Sequence, residues 1–134
     1  MHRRLRAAAR LRSALLAAMF GGLFIIAPAV AGTSDLNDFN LVETVRSYPT
    51  QYHVSTGGSP VAYRWLDSPS KSTVISVNDC TDGFVLGGSQ SYGAGDTSYH
   101  TLWSNGLSGW CFVVSGRTAA GQGSMSLHDG RISR

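Results

Sequence analysis

Short apolar runs alternate with clusters of Gly, Ser, Asn and Asp along most of this chain. Within each run the apolar and polar residues follow one another with a period of two, as in a strand with one buried face. The run 110–115 is the clearest: Trp110, Phe112 and Val114 share one face, and Trp110 is the predicted core residue beside Cys111. Turn residues recur about every ten positions, which is typical of sandwiches and barrels. The pattern predicts an all-β fold, a small sandwich or barrel of about six to eight short antiparallel strands.

The predicted strands share this alternation and are bounded by Gly, Pro, Asn, Asp or Ser. They are residues 51–55, 61–66, 73–79, 84–86, 98–103, 110–115 and 124–127. The Gly- and Ser-rich segment 87–97 is predicted to be a long loop, and a charged tail is expected after residue 127.

The segment 32–47 is poorer in Gly and richer in charge than the rest. Its apolar residues recur every three positions: Leu36, Phe39, Val42 and Val45. This spacing fits one face of a short helix with Ser34 as its N-cap. The alternation of Phe39 and Leu41 fits a strand as well, and an arm that docks on a partner is a third alternative. The segment is therefore taken as an N-terminal arm or first element, followed by a β-sandwich domain at 48–134.

The first 31 residues have the layout of a secretory signal peptide. Five arginines precede an uncharged apolar run at 14–26, and Ala29-Val30-Ala31 follows Pro28 as a small-residue cleavage site. That run is 13 residues long, shorter than the roughly 20 that a membrane anchor needs. The sequence therefore predicts a secreted, extracellular protein. Arg3-Arg4 fits a twin-arginine signal poorly, and general secretion is favoured.

Removal of the predicted leader reverses the sign of the charge. The whole chain carries 11 basic and 8 acidic side chains. Residues 32–134 keep six basic against eight acidic side chains, a net charge of −2 with histidine neutral. Binding to nucleic acid or to anionic membranes requires clustered Lys and Arg. Neither partner is expected once the leader has been cleaved.

Two cysteines in an exported chain are most simply one disulfide. Pairing of Cys80 with Cys111 would close a loop of about 30 residues and stabilise the fold by roughly 3–4 kcal/mol in the chain-entropy model. Two free thiols or an intermolecular bridge are the alternatives. Neither cysteine lies in a CxxC spacing, so no metal site is predicted.

No strong catalytic or cofactor motif is present in the sequence. His53, His100 and His128 are isolated from one another and form no HExxH or HxH pattern. The serines lack a GxSxG elbow. A Ser–His–Asp triad assembles in space and cannot be judged from composition. The carboxylates that a glycosidase would need lie mostly in turns, where Asp is a common turn residue. The sequence favours a non-enzymatic protein without metal or cofactor.

Aromatic residues are the more informative signal, because Tyr and Trp anchor protein and sugar contacts at low entropic cost. The candidate partner-binding residues combine aromatic, apolar and cationic side chains. They are Phe39, Leu41, Tyr63, Arg64, Trp65 and Tyr92.

The leader and the β domain with one disulfide resemble small secreted actinobacterial proteins, among them the α-amylase inhibitors of the tendamistat type. Tyr63-Arg64-Trp65 is similar, in a different order, to the aromatic–Arg–aromatic binding turn of that family, which has two disulfides where this chain has cysteines for one. The layout of leader, N-terminal arm and small β domain also resembles the adaptor subunits of the secreted toxin assemblies called umbrella toxins. The first resemblance implies inhibition of an extracellular hydrolase, and the second implies joining larger proteins.

The combined expectation is a secreted protein-binding domain, an adaptor or component of an extracellular toxin complex whose partners are extracellular proteins. An inhibitor of an extracellular amylase or protease is the first alternative. A carbohydrate-binding module or small secreted enzyme is the second.

Overall fold

The computed structural model describes residues 32–134 and contains eight β-strands and no helix in that range. The strands are β1 (Thr33–Phe39), β2 (Arg46–His53), β3 (Val61–Trp65), β4 (Thr73–Asp79), β5 (Val85–Tyr92), β6 (His100–Trp103), β7 (Cys111–Thr118) and β8 (His128–Ser133). The predicted signal peptide lies outside the described residues. Between residues 32 and 134, no helix has the length and apolarity needed to cross a bilayer.

The strands form two antiparallel four-stranded sheets. The first sheet has the order β1-β8-β3-β6, and the second has the order β2-β7-β4-β5. The all-β prediction and the predicted strand number are confirmed, and the architecture is a sandwich because the two sheets do not close into one barrel. Alternation of side chains along the strands places the core between the sheets.

The core is built around aromatic rings that meet edge to face. The ring of Tyr63 on β3 lies 5.2 Å from that of Trp65 and 5.8 Å from that of Tyr92 on β5. The polar atoms that these rings carry inward are partly satisfied: Trp65 Nε1 donates to Thr73 Oγ1 at 3.0 Å, and the Tyr92 hydroxyl donates to the Tyr63 carbonyl at 2.7 Å. Burial raises the pKa of both tyrosines above their ordinary range, so both phenols are neutral in the folded protein.

The segment 32–47 contributes an edge strand rather than a helix. β1 pairs with β8, and the pairing shifts register between Leu36 and Phe39. Asp38 has a φ of 57° at this bulge, a conformation that Asp tolerates better than most residues. The bulge changes the phase of the strand, and both Leu36 and Phe39 therefore face the core although they are three residues apart.

Two expectations about the later strands are wrong. The predicted loop 87–97 is largely strand, because β5 continues to Tyr92 through Gly87, which has a φ of 76°. The last strand lies at His128–Ser133, in the predicted charged tail, and not at 124–127. The tail can form a strand because its charged Arg131 lies on the outer face, paired with Asp35.

The connections between strands gather at two ends of the sandwich. One, the disulfide end, consists of the connections 54–60, 80–84 and 104–110, and Val54 and Gly109 join two of them through a hydrogen bond of 2.8 Å. Both ends of the described chain lie here as well, since the Arg134 amide donates to the Gly32 carbonyl at 2.8 Å. The opposite end consists of the connections 40–45, 66–72, 93–99 and 119–127.

Candidate protein-binding surface

The disulfide end is held by two parallel cross-links between β4 and β7. Cys80 and Cys111 form the predicted disulfide, with their Cα atoms 5.6 Å apart. The residues that precede the two cysteines form the second cross-link, in which Trp110 Nε1 donates a hydrogen bond of 2.7 Å to Asp79 Oδ2. Asp79 Oδ1 also accepts the Thr81 amide at 2.7 Å. These hydrogen bonds, of which the one from Trp110 has the largest effect, hold the pKa of the Asp79 carboxyl below its usual range. The carboxylate therefore stays ionised and keeps the Trp110 indole oriented.

The placement of Trp110 corrects the expectation that it belongs to the core. Its side chain is 40% exposed. β7 begins only at Cys111, so the alternation that buries Phe112 and Val114 does not extend back to residue 110. The Trp110 ring packs instead edge to face on Trp103, with a centroid distance of 5.8 Å. Gly106 allows the connection 104–110 to lie on Trp103, because a Cβ there would be 2.8 Å from the indole ring.

Four of the seven large, exposed hydrophobic side chains of residues 32–134 lie at this end, whereas Val45, Tyr99 and Leu127 lie at the other. Phe84 is 74% exposed and Leu107 is 65% exposed. Val85 is also exposed, and Trp103 is half-buried. A backbone hydrogen bond closes each of the two connections: the Asp79 amide donates to the Phe84 carbonyl at 2.9 Å, and the Trp110 amide donates to the Leu107 carbonyl at 3.0 Å. The Trp110–Asp79 hydrogen bond and the disulfide join the two connections to each other. We call this set the disulfide-end surface; it consists of Phe84, Val85, Trp103, Leu107 and Trp110.

The turn that presents Phe84 is fixed by its own polar groups. Asp82 Oδ1 accepts the Phe84 amide at 3.0 Å, and Asn78 Nδ2 donates to the Gly83 carbonyl at 2.8 Å. Gly83 has a φ of 75°, which glycine adopts without steric cost. Phe84 is therefore displayed on a preorganised turn, and binding through it would require little further ordering.

Five of the six predicted partner-binding residues lie in the core. Phe39, Leu41, Tyr63, Trp65 and Tyr92 are each at most 3% exposed. Tyr63 and Trp65 are neighbours on the inner face of a strand rather than parts of a turn, and a partner cannot reach them in this fold. This corrects the prediction that these side chains form a contact surface.

Arg64 is the one predicted binding residue on the outside. It lies between Tyr63 and Trp65 on β3, and the alternation that buries its neighbours turns it outward, where it is half-buried. The residues that sequence reasoning missed, Phe84, Leu107 and Trp110, stand among turn residues. Large apolar side chains inside Asp-Gly and Asn-Gly clusters were the available signal, because such positions are exposed.

The polar cluster closest to catalytic chemistry lies at the opposite end. His100 Nε2 lies 2.8 Å from Asp96 Oδ2 and 3.2 Å from Ser98 Oγ, and Ser98 Oγ donates to Asp96 Oδ1 at 2.5 Å. In a Ser–His–Asp triad the carboxylate and the hydroxyl use opposite ring nitrogens. Here both contact Nε2, and the Ser98 amide also donates to Asp96 Oδ1 at 2.9 Å. The arrangement is that of an Asx turn, which orders the connection before β6.

The other two histidines of residues 32–134, His53 and His128, form no metal centre with their neighbours in that range. His128 Nδ1 lies 3.1 Å from Asp67 Oδ2, but without the directionality of a hydrogen bond. Across residues 32–134, no three His, Cys, Asp or Glu side chains are grouped in a way that could hold a metal ion.

No protein-family model matches this chain, and no curated protein matches it.

Proposed function

We propose that this chain is a secreted, non-enzymatic adaptor that joins an extracellular protein complex, and that the disulfide-end surface contacts its partner. The observation that carries the proposal is that exposed Phe84, Leu107 and Trp110 lie on two connections that the disulfide and the Trp110–Asp79 hydrogen bond hold together. Single exposed apolar residues are ordinary, but a rigid group of them on a small domain is typical of an interaction site. The resemblance of the layout to secreted toxin adaptors supports the same proposal.

The chemistry of this surface favours a protein partner. Trp and Phe are the kind of residue that dominates protein–protein binding energy when a partner covers them. Leu107 adds aliphatic surface, and the charge of Asp79 is already used by Trp110. A partner would therefore bury apolar area without desolvating an unpaired charge.

The Cys80–Cys111 bridge and the predicted leader together support an extracellular location. Disulfides persist in oxidising compartments, and this one stabilises the end of the molecule to which we assign the contact.

Inhibition of an extracellular hydrolase is the second candidate function. It is favoured by the hydrogen-bonded turn 79–84, which presents the exposed ring of Phe84 beside the disulfide. A rigid turn with one protruding side chain suits insertion into an enzyme cleft. Near-stoichiometric suppression of a secreted amylase or protease would favour this candidate over the adaptor.

The adaptor proposal is tested by tagged protein mixed with culture supernatant of the producing organism. The double variant Phe84→Ser/Leu107→Ser is compared with Val45→Ser/Leu127→Ser, whose side chains are 62% and 55% exposed at the opposite end. Both variants remove two exposed apolar side chains and should unfold near the wild-type midpoint. We expect wild type and the opposite-end variant to recover the same large protein in fixed stoichiometry, and the disulfide-end variant to lose it.

Equal recovery by the two double variants would overturn the assignment of the contact. Recovery of nothing but free monomer by the wild type would overturn the adaptor function itself.

A further inference from the structure

A row of charged and aromatic side chains crosses the outer face of the first sheet. Asp35 on β1, Arg131 on β8 and Arg64 on β3 are directly paired in register. Opposed residues of antiparallel strands lie about 4.5–5.5 Å apart at Cα, so the two guanidinium groups originate side by side. Tyr99, just before β6, completes the row next to Arg64.

The two arginines of this row have different partners. Arg131 is held by Asp35, with Nη2 to Oδ2 at 3.0 Å and Nε to Oδ1 at 2.5 Å. The Arg64 guanidinium instead lies over the ring of Tyr99, with its Cζ 5.4 Å from the centroid. Within residues 32–134 it has no hydrogen bond and no ion pair, and its Nε is buried without a partner. The cation–π contact positions the guanidinium of Arg64 and leaves its hydrogen-bonding capacity unused.

Other basic side chains of the described domain do not share this combination. Arg134 also lies over a ring, that of Tyr52, and its Nε is also buried without a partner, but its terminal nitrogens donate to the His53 carbonyl and to Ser34 Oγ. Lys71 and Arg117 each donate to a backbone carbonyl, and Arg46 is exposed at the start of the edge strand β2. Buried donors are normally satisfied. Arg64 is thus a half-buried, preoriented cation whose partner is not supplied by residues 32–134.

We propose that Arg64, stacked on Tyr99, binds a carboxylate of an acidic segment of a partner protein. The row holds two guanidinium groups and one carboxylate, a local excess of positive charge on a domain whose net charge is −2. The planar guanidinium matches a carboxylate geometrically, and its terminal nitrogens supply the donors. This inference rests on the proposed function in one respect: it gives an adaptor a second contact, on a sheet face distinct from the disulfide-end surface.

The test is an NMR titration of the arginine Nε–Hε resonances with a short acetylated, amidated Glu-rich peptide. The matched probe replaces each Glu by Gln, and inorganic phosphate forms a third arm. We expect saturable shifts of Arg64 and of the Tyr99 ring with the Glu peptide and none with the Gln peptide. Arg64→Lys should weaken binding about tenfold, because charge-assisted bonds of fixed geometry are lost, whereas Arg46→Lys should leave it unchanged.

Two outcomes would overturn the proposal. The first is an equal, unsaturated response of all arginines to the Glu peptide, which indicates non-specific charge attraction. The second is phosphate binding as tightly as the peptide, which indicates a general anion site. The double variant Phe84→Ser/Leu107→Ser must keep the Arg64 shift, and the failure of this site is therefore distinguishable from the failure of the disulfide-end surface.

Discussion

At the scale of single residues, the alternation of apolar and polar residues predicts burial correctly inside a strand and wrongly for the residue just before it. Phe112 and Val114 are buried as the period of two predicts, whereas Trp110 is turned out by the start of the strand and held by Asp79. The sequence identifies Trp110 as a large apolar residue near the disulfide. It does not show that a carboxylate 31 positions away holds its indole, because that contact depends on the pairing of β4 with β7.

The Asp79 carboxylate should make the stability of the domain pH-dependent. Its folded pKa is lowered, so its contribution is complete above the unfolded pKa of about 3.9 and is lost as pH falls through the folded value. Asp79→Asn should therefore differ most in unfolding midpoint from wild type above about pH 5, and the difference should narrow below pH 3.9. Denaturant unfolding from pH 2 to 7 measures this, and a difference that stays constant with pH would exclude the role given to the charge.

Gly130 is required by the close approach of β8 to the core. A Cβ at this position would lie 2.5 Å from Tyr63 Cζ and would overlap the hydroxyl, and the Tyr63 ring is fully buried and packed against Trp65 and Tyr92. Gly130→Ala should destabilise the fold by about 2–3 kcal/mol. Gly93→Ala is the matched control, because a Cβ there meets nothing within 4 Å. Equal unfolding midpoints for the two variants would contradict this packing.

At the scale of elements, the sequence predicts strands well where both ends carry turn signals. β4 has the predicted bounds, 73–79, and β3 ends one residue early. Only the start of β5 was predicted, at 84–86, because the Gly and Ser residues that follow suggest a loop. The strand continues to Tyr92 by pairing with β4, and the register of this pairing shifts between Ile75 and Val77. β1 was ambiguous because its bulge at Asp38 produces a spacing of three that also fits a helix. Both effects depend on tertiary pairing and leave little trace in local sequence.

The disulfide joins two elements that already pair in one sheet. Replacing both Cys80 and Cys111 by Ser should lower the free energy of unfolding by about 3–4 kcal/mol, the entropy of a closed loop of roughly 30 residues. The β4–β7 pairing runs from Thr73 to Asp79, and we expect the variant to remain folded with the same circular dichroism. Urea titration of the two proteins provides the measurement. A loss below 1 kcal/mol would show that pairing alone constrains this end.

At the scale of the whole molecule, the sequence predicts the fold class and the disulfide, but five of the six contact residues it suggests lie in the core. Aromatic content alone does not separate core from surface, because Tyr63, Trp65 and Trp110 are all aromatic, yet the first two are buried and Trp110 is exposed. The sandwich separates them: β3 lies inside its sheet, whereas Phe84, Leu107 and Trp110 lie in connections at one end. Arg64, outward on the same β3, is the predicted binding residue that remains available.

The proposed contact is tested most directly by hydroxyl-radical footprinting of the domain alone and in its purified complex. Side chains at both ends are exposed in the free protein, so Val45 and Leu127 serve as internal references for Phe84, Leu107 and Trp110. We expect oxidation of Phe84, Leu107 and Trp110 to fall severalfold in the complex while Val45 and Leu127 keep their free rates. Protection of Val45 and Leu127, with Phe84, Leu107 and Trp110 still oxidised at the free rate, would contradict the proposed contact.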